Sequence, residues 1–322
     1  MSEPEPVAGA DAFAHLHADV RAALSERGFT TPTEPQRRAI PPLARGDDCL
    51  VVAPTGTGKT ETAMLPVFSA IAGREPTHGV QALYITPLRA LNRDMRERLE
   101  WWGEELGVEV DVRHGDTTDY QRSKQADDPP DVLVTTPETL QAMLTGSKLR
   151  EGLSDLRHVV VDEVHELAAS KRGAQLTVAL ERLRELAGGF QRIGLSATVG
   201  DPEEVGRFLT GARGCEIVEI DAGSAVSLDV VTPEVGAVDE RLAGKLATDP
   251  EIASHVRLIR EIVADNESTL IFVNTRQTAE ALGSRFKTLG DPIEVHHGSL
   301  SKTARIDVED RFKRGEIDGL VC

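Results

Sequence analysis

The chain has 322 residues, 40% of them apolar and 4% aromatic, enough for two domains of ordinary size, each with its own core. No window approaches the ~18 uninterrupted apolar residues of a membrane span. The acidic opening "MSEPEPVAGADAF" lacks the basic and apolar regions of a signal peptide, so a cytoplasmic protein with no membrane partner is expected.

The formal net charge of −17 argues against the broadly basic surface usual in nucleic-acid binders. Two readings stay open. Either the partner is not a polyanion, or the acidic, lysine-poor surface is a halophilic adaptation and a polyanion is held by a few placed groups. Cys49, Cys215 and Cys322 lie far apart without CxxC spacing, so neither a zinc site nor a disulfide framework is expected.

In chain order, "DDCLVVAPTG", "VQALYITP", "PDVLVTTP", "LRHVVVDE" and "FQRIGLSAT" each read as a short buried strand running into a loop. Helical patterns fall between them at 59–73, 88–106, 137–144 and 172–186. In the last of these, Leu176, Leu180 and Leu183 share one face. The alternation predicts an α/β fold with a mostly parallel sheet covered on both sides. The pattern loosens after Thr210, and the domain boundary is expected near 211–213. It then resumes with helices at 251–264, 275–289 and 302–314 and strands in "STLIFVN", "IEVHHG" and "DGLVC".

"APTGTGKT", Ala53, Pro54, Thr55, Gly56, Thr57, Gly58, Lys59 and Thr60, follows a strand and opens a helix, the setting a phosphate loop requires. Gly56 and Gly58 let backbone N–H groups curl around phosphate oxygens, and the helix start adds partial positive charge. Lys59 can reach the β- and γ-phosphates of ATP, and Thr60 can ligate Mg²⁺. Ala53 stands where the general pattern has its first glycine. The competing reading is a Gly/Thr-rich turn with a stray lysine.

"HVVVDEVHEL" ends a buried strand on Asp162 and Glu163. In a phosphate-loop fold the first acid helps hold Mg²⁺ and the second polarises the attacking water as general base. Alone the pair is a weak signal, since acids often open the loop after a strand. His165 either links the nucleotide site to the opposite domain by hydrogen bonding or is a surface-loop histidine.

The phosphate loop, Asp162-Glu163-Val164-His165 and the "SAT" of Ser196, Ala197 and Thr198 together resemble a superfamily 2 DEAD/DEAH-box helicase. "TPTEPQRRAI" resembles the Q motif, and Gln36 within it would bond adenine through its amide, as Asn and Gln do at N6 and N7. "TPLRAL", "RHGDT" and "TTPETL" resemble motif Ia, the glycine-containing loop after it, and motif Ib. "SATVGDPEEVGRFL", "LIFVNTRQTAE" and "HHGSLSKTARIDVEDRFKRGE" are similar to the large helicase-related (Lhr) subgroup.

The resemblance implies two RecA-like domains with ATP and Mg²⁺ in the cleft between them and single-stranded DNA, or RNA, running across both. It divides the chain into an acidic lead and first helix at 1–27, an ATP-binding domain at 28–212, a linker with the first strands of the second domain at 213–245, and a partial C-terminal domain at 246–322. Strand contacts in such motors go mainly to phosphates. Arg89, Gly115, Thr136 and Pro137 would serve in the first domain, and Asn274, Thr275, Arg276, His297 and Gly298 in the second. Ser196 and Thr198 would couple nucleotide state to domain closure. Each of these polar residues has an alternative as a cap or turn residue.

Relatives of this type continue into motifs V and VI, and no "GRxxR"-like segment occurs in this sequence. The resemblance therefore implies a fragment with impaired motor activity. The alternative is a nucleotide-gated nucleic-acid-binding module, or a half-motor completed by a separately encoded C-terminal half. The strand at Leu320 and Val321 is expected to lack neighbours and to expose apolar surface.

Overall fold

Runs of branched apolar residues favour extended backbone, and the runs here are apolar at successive positions, so both faces of each strand must be covered. In the computed structural model, which describes residues 11–75, 77–87, 93–146, 148–221 and 228–322, they form ten short strands. These are β1 (Cys49–Val52), β2 (Ala82–Ile85), β3 (Val110–Arg113), β4 (Val132–Thr135), β5 (His158–Val161), β6 (Gln191–Ser196), β7 (Glu216–Glu219), β8 (Thr269–Ile271), β9 (Ile293–Val295) and β10 (Gly319–Val321). Backbone contacts divide the chain into two units, Met1–Ala225 and Val226–Cys322.

In the first unit, seven parallel strands run in the order β3-β4-β2-β5-β6-β1-β7. Alternate residues of these strands enter two separate cores. Val51, Tyr84, Val134, Val160 and Leu195 pack with residues of the helices Ala18–Glu26, Glu34–Arg45, Lys59–Ala72 and Arg93–Leu106. Leu50, Leu83, Leu133, Val159 and Val161 pack with the helices Pro137–Thr145, Lys171–Ala187 and Pro202–Thr210. The expected parallel α/β sandwich is thus present. Each fully buried aliphatic side chain contributes about 1.5–3 kcal/mol by leaving water.

Two edge strands escape the sequence pattern. β3 reads VDVR and is only half-buried along its length, so no apolar run announces it. β7 reads EIVE and buries one residue, Val218. Its placement corrects the expected boundary near 211–213: β7 pairs with β1 from Cys49 opposite Glu216 to Val52 opposite Glu219. A strand lying in 213–245 therefore closes the first sheet and does not begin the second domain. Arg38 Nη1 donates to the Glu219 carbonyl at 2.7 Å and fastens the same edge.

The second unit carries the helices Ala237–Leu246, Pro250–Ala264, Arg276–Leu289 and Lys302–Lys313 with a parallel sheet ordered β8-β10-β9. Here the expectation for Leu320 and Val321 is overturned. β10 is the central strand, paired with β8 on one side and β9 on the other. Val321 lies in a core with Val256, Phe286 and Ile293, so neither its backbone nor its side chain is left open. Among the described residues, no helix is long and apolar enough to cross a membrane.

Candidate active site

Parallel strands bring all their C-terminal ends to one edge of a sheet, which is where sites form in such folds. In the first unit that edge carries the 53–58 loop after β1, Asp162 and Glu163 after β5, and Ser196 at the end of β6, which lies between β5 and β1. The sequence places the loop more than a hundred residues before the acids and Ser196. The strand order makes them neighbours.

The loop is bent by Gly56 and Gly58, whose φ of +78° and +84° lie in the left-handed region that side chains resist. Gly58 has a second reason to be small, since a Cβ there would come within 3.2 Å of Gln36 Nε2. The loop's own carbonyls hold it in shape. Lys59 Nζ donates to Ala53 O at 2.6 Å, and Thr57 Oγ1 donates to Pro54 O at 2.8 Å. Burial pulls the Lys59 ammonium below its ordinary pKa, against the opposing pull of Glu163 and Asp162.

Asp162 is held at both oxygens: Oδ1 accepts the Glu163 N–H at 2.9 Å and Oδ2 accepts the Tyr84 hydroxyl at 2.7 Å. Burial nevertheless raises its pKa. Glu163 is raised too, first by burial and then by the neighbouring Asp162 charge. Its backbone is in the left-handed region at φ +46°, unfavourable for a residue with a side chain. Two carboxylates with raised pKa, one of them anchored by a hydrogen bond at each oxygen, suit a proton acceptor beside a cation ligand.

A cavity of about 630 Å³ is lined by Thr55 to Thr60, Gln36, Asp162 and Glu163 together. The expected nucleotide residues therefore converge, with Ala53 and Pro54 standing behind the loop as carbonyl acceptors. Gln36 is buried and its Oε1 accepts the Thr33 N–H at 2.9 Å as part of a helix cap. One lone pair of Oε1 is thus used, and the second is left with the Nε2 donors. The cavity is also lined by Arg27, Phe29, Thr86, Glu61 and Arg98, which the sequence reading passed over. Arg27 stacks on Trp101 at 4.0 Å, and Arg98 pairs with Glu61 at 3.2 Å. Phe29 is large, apolar and exposed, two residues before "TPTEPQ".

His165 sits in the short helix Val164–Ala168 that follows β5. Its Nδ1 lies 3.2 Å from Ser196 Oγ and accepts the Ala197 N–H at 3.3 Å. Its ring also approaches Glu163 Oε2 at 3.5 Å. Thr198, the third residue of that motif, is exposed.

The expected strand-contact residues occupy the same edge of the first sheet, beyond β2. Gly115 follows β3, and its carbonyl accepts from Arg122 at 2.8 Å. Thr136 and Pro137 follow β4, where the Thr136 hydroxyl caps its helix by accepting the Thr139 N–H at 3.4 Å. Arg172 bonds both Glu138 and the Pro87 carbonyl, the latter at 2.7 Å, and so ties the loops after β2 and β4 together. Arg89 lies outside the described residues. In the second unit, Asn274, Thr275 and Arg276 follow β8 while His297 and Gly298 follow β9. Thr275 is a helix cap, and His297 Nε2 pairs with Glu280 at 2.6 Å. The threonine side chains are thus committed to caps, and Asn274 and Arg276 remain exposed.

A glycine loop on β1 facing two carboxylates on β5 across β6 defines a RecA-like P-loop domain. The chain belongs to the DEAD/DEAH box helicase family, which residues 33–205 match, and residues 254–322 match the helicase conserved C-terminal domain. It is 40% identical to the ATP-dependent helicase Lhr-Core of Methanothermobacter thermautotrophicus over 95% of this chain and 38% of that protein. It is 34% identical to the Lhr helicase/uracil glycosylase of Escherichia coli over 92% of this chain and 23% of that protein. The Mycobacterium smegmatis helicase Lhr, solved with ssDNA and AMP-PNP, superposes with a TM-score of 0.78 at 37% identity, over 97% of this chain and 42% of that one. The chain thus spans less than two fifths of these two curated relatives.

Proposed function

We propose that the chain is the ATP-hydrolysing part of a nucleic-acid helicase or translocase. The observation that carries this reading is the single cavity lined by the phosphate loop, Gln36, Asp162 and Glu163. The backbone N–H groups of the loop cradle phosphates, and Lys59 exchanges the Ala53 carbonyl for phosphate oxygens. The free lone pair and amide of Gln36 read the adenine edge, beside Phe29 and Arg27. Thr60 and Asp162 hold Mg²⁺, an assignment their chemistry fits, both being hard oxygen donors at one cavity. Bound there, Mg²⁺ supplies charge neutralisation on the phosphates. Glu163 takes the proton of the attacking water, and His165 passes the state of that site to Ser196 and Ala197.

Each unit offers phosphate contacts to a single strand of DNA, or of RNA: Gly115, Thr136 and Pro137 with Arg89 in one, and Asn274, Thr275, Arg276, His297 and Gly298 in the other. Local donors of this kind are compatible with a net charge of −17, which supports work at high salt.

The test is binding of a fluorescent ATP analogue with phosphate release measured with and without single-stranded DNA, in the wild type and in Lys59→Ala. Saturable binding and strand-stimulated release, both lost in Lys59→Ala, are expected. Binding that ignores Lys59→Ala overturns the site assignment. A second reading is a nucleotide-gated binding module, in which the phosphate-loop cavity binds ATP without turning it over. Strand affinity that responds to ATP, without turnover, selects it.

A further inference from the structure

Tyr84 stands out as a polar group buried in an apolar strand. It is one of two tyrosines in the chain, and no part of it is exposed. Its backbone on β2 lies opposite Val160 on β5, two residues before Asp162. Two residues of strand advance about 6.6 Å, close to the reach of a tyrosine side chain, so the ring leans along the sheet and brings its hydroxyl level with the carboxylate. The hydroxyl donates to Asp162 Oδ2 at 2.7 Å. Thr60 lines the same cavity as Asp162.

We propose that Tyr84 is the positioning residue of the cation site, fixing the Asp162 carboxylate through its phenol. The inference rests on the reading of Asp162 given above, and it adds the group that aligns it. An aspartate whose Oδ1 is held by the Glu163 N–H and whose Oδ2 is held by Tyr84 cannot rotate. Neutral tyrosine fixes the carboxylate without competing for it, whereas an arginine or lysine in the same place would repel a divalent cation. Nothing else at the site needs a hydroxyl here, because phenylalanine would fill the same apolar space among the core residues.

The experiment is Tyr84→Phe, read by binding of a fluorescent ATP analogue in EDTA and across a MgCl₂ titration. A melting curve confirms the fold. Nucleotide binding in EDTA equal to wild type is expected, with the half-saturating Mg²⁺ concentration raised about tenfold, the usual effect of losing a partner that orients a metal ligand. An unchanged Mg²⁺ midpoint overturns the proposal, as does an equal loss of binding in EDTA, which would assign Tyr84 to packing alone.

A second measurement needs no mutation. With both tyrosines replaced by 3-fluorotyrosine, the buried Tyr84 fluorine resonance should shift when Mg²⁺ is added to the nucleotide-bound protein, while that of exposed Tyr120 stays in place. A static Tyr84 resonance overturns the proposal. Wild-type protein that binds no nucleotide at all would instead overturn the reading of the site itself, so the two failures are distinct.

Discussion

His165 Nδ1 stands 3.2 Å from the Ser196 hydroxyl and accepts the Ala197 N–H at 3.3 Å, which joins the loop after β5 to the end of β6. The other ring nitrogen, Nε2, lies 3.7 Å from Glu166 Oε1. His165→Ala removes both contacts, whereas Ser196→Ala leaves the Ala197 N–H in place. Strand-stimulated phosphate release is expected to fall roughly tenfold in His165→Ala, and by less in Ser196→Ala, with nucleotide affinity changing little. The comparison to make is stimulated rate against nucleotide Kd in the two variants.

Glu163 carries a charge in an unfavourable place. Its pKa is raised by burial and by Asp162, so the folded chain holds its proton more tightly than the unfolded chain does. The carboxylate therefore costs stability, and the cost builds as pH rises from the ordinary carboxylate range through the raised pKa. Glu163→Gln removes it. The variant should melt roughly 2 °C or more above wild type at pH 7.5, and the gap should close toward pH 4. Melting curves across that range decide it, and a gap that widens on acidification would contradict the account.

His158 shows the opposite sign. It is buried at the start of β5, its Nδ1 meets Gln191 Oε1 at 2.9 Å, and Nε2 has no partner among the described residues. Burial lowers its pKa to about 4. The unfolded chain takes up the proton first, near the ordinary 6.5, so stability is full above that value and is lost as pH falls toward 4. The loss amounts to roughly 3 kcal/mol. Urea unfolding of wild type and His158→Asn at pH 7 and pH 4 should show a shallower acid slope in the variant.

Gly173 opens the long helix after the acidic loop, where a Cβ would fall 2.0 Å from the Leu167 carbonyl oxygen. Backbone cannot yield as a flexible side chain does. Gly173→Ala is expected to destabilise by about 1–3 kcal/mol despite alanine's better helix propensity. It should also weaken nucleotide turnover, because the displaced segment carries His165. Denaturant midpoints measure the first effect, and phosphate release measures the second.

Several features were determined by the sequence alone. Chemistry written into contiguous residues was legible: "APTGTGKT" specifies its own bend through Gly56 and Gly58, and "HVVVDE" specifies a strand that ends on two acids. The buried strands were legible for the same reason, since a strand covered on both faces must be apolar at every position. Edge strands obey no such demand. β3 and β7, half-exposed and charged, were visible only once β4 and β1 offered them hydrogen bonds. Sequence order also misjudged β10, because a strand made last can be inserted between two made earlier, and only the pairing of Leu320 with both Leu270 and Glu294 settled its place. Tyr84 makes the same point at the site. Its hydroxyl matters through Asp162, seventy-eight residues after it, and a parallel sheet alone brings those two side chains together.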